Sequence, residues 1–108
     1  MRQNNATKLR ERLEDLGKRY NRAEDLYYYY LTQTSVESIL VVTNSLLTLS
    51  HAHKKPLFSL LYGLTALLFT YLGADDAYNT VRFYDEKNNA AQEWHQVNDE
   101  LTALNREN

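Results

Sequence analysis

The chain has no cysteine among its 108 residues, a single proline and three glycines. The missing thiols exclude disulfides, thiolate metal sites, iron–sulfur clusters and cysteine nucleophiles. So few backbone breakers argue against sheets joined by tight turns and against Gly-rich phosphate loops, and favour a few long helices. An excess of positive charge is also lacking: 12 Lys and Arg stand against 14 Asp and Glu, a formal net charge of −2. Such a balance offers no basic surface for nucleic acid. The length suits about one small domain, so a two-domain enzyme is excluded.

What is present is an uneven distribution of charge. Between Asp25 and Lys54 the only formally charged residue is Glu37, and between Lys55 and Asp75 there is none, whereas both ends of the chain are densely charged. The run from Pro56 to Ala74 holds 19 uncharged residues. As a helix it would cover about 28 Å, close to the hydrocarbon thickness of a bilayer. Leu31 to Ser50 matches it in length but carries Glu37, Asn44 and several hydroxyls, so its hydropathy alone is marginal. The charged stretch ahead of it is unlike a cleavable signal peptide.

Tyrosines bracket these runs. Tyr27, Tyr28, Tyr29 and Tyr30 precede the first, and Tyr71, Tyr78, Phe83 and Tyr84 gather at the exit of the second. A fold at residues 51–56 would bring both groups to one level, as expected of an aromatic belt where lipid meets water. The alternative is tyrosines filling a soluble core.

Helical spacing runs through the whole first half. Leu9, Leu13, Leu16, Tyr20, Ala23, Tyr27 and Tyr30 alternate steps of four and three, with charged residues on the other faces. Gly17 sits inside this pattern without ending it, at a cost of about 1 kcal/mol relative to alanine. The same register continues as Thr34, Glu37, Val41, Asn44, Thr48 and His51, where the seam turns polar and the surround apolar. In water an apolar face turns inward; in lipid a polar one does. The inversion predicts one helix from about Thr7 to Ser50 that changes solvent near residue 30, with Asn5 or Thr7 as its cap.

The second half mirrors this. Ser59, Gly63, Ala66, Thr70, Gly73 and Ala77 place small side chains on one face, the usual means of close helix approach in lipid. Beyond Asp75 and Asp76, read as solvated charge, Ala90, Trp94, Val97, Leu101 and Leu104 form an apolar stripe able to meet the N-terminal one. Pro56 suits the first turn of a helix. Lys18, Arg19, Arg22, Arg82 and Lys87 outside the runs, against Lys54 and Lys55 between them, put both termini in the cytoplasm.

The expected fold is all-α: a two-span transmembrane helical hairpin whose helices extend outside the membrane as an antiparallel coiled-coil-like stalk. Its parts are an amphipathic helix (7–30), a first span (31–50), a basic turn (51–56), a second span (57–75) and a C-terminal amphipathic helix (76–105).

Catalytic chemistry finds little support. His51 and His53 are two apart in the turn and His95 is distant along the chain, so no metal site is expected. The pairs Asp75–Asp76 and Asp85–Glu86 point to different faces of a helix and cannot form an acid–base dyad. No cofactor and no enzyme activity are expected. Glu37 carries the functional expectation, because an ionisable group inside a span costs about 2.5–3.5 kcal/mol at the centre and normally faces the bundle interior or water. Thr34, Glu37, Asn44 and Thr48 would line a cation path in a homo-oligomer, or would fix helix packing by hydrogen bonds.

The order LRERLEDLGKRYNRAEDLYYYY, two spans with a short basic turn, and RFYDEKNNAAQEWHQVNDELTAL resembles the SLATT family. These are two-span membrane proteins associated with nucleotide-signalling defence systems and also found in viruses. The likeness runs over residues 9 to 105 and rests on arrangement and on positions such as Phe83, Glu86, Ala91, Trp94 and Leu101. It implies oligomerisation into a membrane pore that depolarises the cell once an upstream sensor signals, with a partner protein supplying the trigger. Two other readings stay open: a structural anchor within a larger assembly, such as a virion membrane or respiratory-type complex, and a soluble helical bundle.

Overall fold

The computed structural model describes residues 2–106, with side chains from Gln3 onward. Two helices account for nearly all of them: α1 (Arg2–His51) and α2 (Pro56–Arg106), joined by a four-residue turn as a helical hairpin. No strand occurs among the described residues. Gly17 leaves α1 unbroken. The helix starts ahead of the expected cap, however, and Thr7 sits within it, its hydroxyl donating to the Gln3 carbonyl at 2.8 Å. Threonine can serve either as a cap or as an internal donor to a carbonyl one turn back, and here the second use prevails.

The hairpin divides into two compact units. The first comprises residues 1–27 and 82–108. Its buried apolar residues are Leu16, Ala23, Ala90 and Val97, flanked by half-buried Leu9, Leu13, Tyr20, Trp94, Leu101 and Leu104. Alanines at the seam let two backbones approach closely, while each fully buried Leu or Val contributes about 1.5–3 kcal/mol. Glu93 reaches Arg12 and Arg19, both at 3.9 Å. These exposed ion pairs add at most about 1 kcal/mol each. Where the two helices meet near the second unit, the rings of Tyr27 and Tyr84 lie 5.7 Å apart and the Lys87 ammonium stands 5.0 Å from the first and 5.8 Å from the second.

The second unit, residues 28–81, has the opposite character. Among the described residues its only buried ones are Ala66 and Glu37. Its outer faces carry Val36, Ile39, Val42, Leu46 and Leu49 from α1 and Leu57, Leu60, Leu64, Leu67 and Leu68 from α2, all exposed. Tyr84 is the one exposed large apolar or aromatic side chain outside this unit among the described residues. Alpha2 contains a stretch long and apolar enough to cross a membrane, and almost none of it is buried in the molecule. The described part of α1 contains no stretch that apolar, because Glu37, Asn44 and the hydroxyls lower its hydropathy.

Candidate functional site

The polar seam of the second unit faces the opposing helix of the same chain. Glu37 is buried at 8% exposure, and Thr34, Val41, Asn44 and Thr48 are half-buried along the same face of α1. Each polar member except Glu37 turns back to its own helix. Thr34 Oγ1 donates to the Tyr30 carbonyl (2.7 Å), Asn44 Nδ2 to Leu40 (2.7 Å) and Thr48 Oγ1 to Asn44 (2.8 Å). The exposed Ser35 and Ser38 do the same, to Leu31 and Thr34. A serine or threonine inside a helix has this option because the carbonyl one turn back lies within reach of its hydroxyl.

Glu37 is the exception. No amide or hydroxyl donates to its buried Oε2, and the carboxyl side chain within hydrogen-bonding reach is that of Asp76, with which it can bond only through a shared proton. The charged groups that bear on it are Asp76 and, more weakly, Asp75, both acidic. Gly73 makes the room. A Cβ built there would lie 3.6 Å from Glu37 Oε2 and 3.7 Å from Glu37 Cβ, ordinary contact distances, so alanine fits and anything longer meets the carboxyl. Gly63 stands in the same relation to Thr48, with a Cβ 3.7 Å from Cγ2 and Oγ1.

Of the small-residue stripe, Ser59, Gly63, Ala66, Gly73 and Ala77 are half-buried or buried, whereas Thr70 is exposed and bonds to the Ala66 carbonyl at 2.8 Å. Phe69 is half-buried in its place. Thr34, Thr70, Gly73 and Ala77 line an open groove of about 390 Å³ beside the glutamate.

No family model, curated protein or solved structure matches the chain.

Sequence reasoning missed Asp76. It was expected to be solvated, yet it is half-buried and is the leading charged neighbour of Glu37. Its position three residues after Gly73, one helical turn along the small face, was the available signal. The tyrosines divide by exposure: Tyr28, Tyr29, Tyr71 and Tyr78 are exposed, Tyr27 and Tyr30 half-buried, and the rings of Tyr29 and Tyr30 meet edge to face at 5.1 Å. Among the described residues no three His, Asp or Glu side chains are grouped to hold a metal ion.

Proposed function

We propose that the chain is an integral membrane protein in which residues 31–50 and 57–75 span the bilayer as a hairpin and several copies assemble around an ion path. One observation carries the membrane part: one unit turns most of its large apolar side chains outward and keeps a glutamate inside, whereas the other does the reverse. Only a change of solvent rewards both arrangements in one chain. The pore part rests on Glu37. A buried carboxyl set beside the acidic Asp76 and Asp75 is a costly choice for packing alone, whereas an acidic group shifted toward an aqueous path in an assembly would attract cations. The resemblance to SLATT proteins points the same way, with both termini cytoplasmic and a partner protein as trigger.

A second reading is favoured by a different observation. Thr34, Asn44 and Thr48 are already bonded within α1, as suits a closed anchor in a larger assembly. Ion flux through the purified protein in liposomes separates the two. A pore gives flux that Glu37→Gln or Asn44→Leu removes; an anchor gives none from the wild type under any trigger or lipid composition.

A further inference from the structure

Within the second unit, Glu37 of α1 and Asp76 of α2 bring two carboxyls within hydrogen-bonding reach across the hairpin. The backbone sets this up. Gly73 lies against the glutamate, a Cβ built there standing 3.6 Å from Glu37 Oε2, and Asp76 follows one helical turn later along α2. Glu37 is only 8% exposed, Asp76 is half-buried and Asp75 is exposed. Between Asp25 and the end of α1 at His51 no other charged residue occurs, so the charged groups set against Glu37 are these two aspartates of α2.

Such a pair is short of positive charge. No amide or hydroxyl donates to the buried Glu37 Oε2. Two ionised carboxylates in one site repel each other, and a single proton held between them removes the conflict. A metal ion suits the place less well. On leaving water it exchanges its hydration shell for a ring of oxygens, and among the described residues no three His, Asp or Glu side chains are grouped to supply one. The polar neighbours on the seam are engaged with their own helix, since Thr34, Asn44 and Thr48 each donate to a carbonyl one turn back. A proton asks for two oxygens, and the two carboxyls provide them.

We infer that Glu37 and Asp76 form a proton-binding site completed within one chain, and that the ion admitted to the path of the assembly is the proton. The binding site stands on the packing of α1 against α2, while the selectivity rests on the pore reading above. Asp76, the more accessible of the two, takes up a proton from water and passes it to Glu37. The O–H bond of the aspartic acid breaks as one forms on the glutamate; nothing is oxidised or reduced, and the pair carries one negative charge before and after. Glu37 then gives the proton to water in the path.

Two measurements on the full chain test this, with circular dichroism to check that each variant is folded. Infrared spectroscopy of the detergent-purified protein at neutral pH reads carboxyls that hold a proton where exposed Asp and Glu are ionised. Wild type is expected to show a carboxylic-acid band that Glu37→Gln removes. Asp76→Asn should shift it, because an amide replaces the carboxylate beside the proton, and the exposed Asp99→Asn should leave it in place. Absence of the band from folded wild type, or a band unmoved by Asp76→Asn, would overturn the site. In liposomes, a trapped pH dye should report proton flux that Glu37→Gln abolishes, with no sodium or potassium flux at equal driving force. Sodium or potassium flux as fast as proton flux would overturn the selectivity and leave the pore standing. No flux of any ion, with the band present, would refute the pore and the selectivity together and support the proton site alone.

Discussion

Glu37 is the residue on which stability and activity should diverge. A buried carboxyl beside two other acidic groups, Asp76 and Asp75, costs about 1–3 kcal/mol in an otherwise packed seam. Glu37→Met, similar in length and without a polar atom, is therefore expected to raise the unfolding free energy in detergent by about 1–3 kcal/mol while removing flux. A variant that is less stable than wild type would show that the carboxyl holds the pair together. Gly17 offers a plainer case. A Cβ there meets nothing within 4 Å, so Gly17→Ala should gain about 1 kcal/mol of helix stability, read as a rise in melting temperature by circular dichroism. The open groove beside it, lined by Tyr20, Asn21, Ala91, Trp94 and His95, has room for the methyl.

At the scale of the helices, two contacts set how α1 and α2 lie in the second unit. Ser59 Oγ bonds across to Thr48, and Gly73 lies against Glu37. Ser59→Ala should cost about 1 kcal/mol, measured by steric trapping or thermal unfolding. Gly73→Ala should be neutral or mildly favourable. Gly73→Leu, whose outer carbons would enter the space of the glutamate, should cost about 1–3 kcal/mol. Equal tolerance of alanine and leucine at 73 would mean that the helices part there. Much of α1 was legible beforehand: the four-and-three rhythm from Leu9 to His51 picks out positions that are all buried or half-buried, because one long helix keeps one face inward whatever its chemistry. The pairing of that face with α2 was not legible. Which residue of α2 meets Glu37 depends on the turn and on side-chain fit, so Gly73 opposite it and Asp76 beside it emerge only in three dimensions. Thr70 gives up the inward place to its neighbour Phe69, and Thr7 was misplaced by its two hydrogen-bonding habits.

For the molecule as a whole, the absence of cysteine makes topology directly measurable. Single substitutions Asn5→Cys, Lys54→Cys and Asn105→Cys, exposed to a membrane-impermeant maleimide, should label the two outer sites from one side and the turn from the other. Labelling of Asn5→Cys and Asn105→Cys from opposite sides would mean that α2 crosses alone, in keeping with its being the more apolar helix. Hydropathy scores α1 by its letters and takes no account of where its hydroxyls are bonded. Thr34, Ser35, Ser38 and Thr48 each return a hydroxyl proton to the backbone of their own helix. A hydroxyl that already donates to a carbonyl of its own helix has less to lose on leaving water, which would lower the cost of placing this stretch in lipid. Replacing Ser35 and Ser38 with alanine should then change its partition into lipid far less than their polarity on paper suggests.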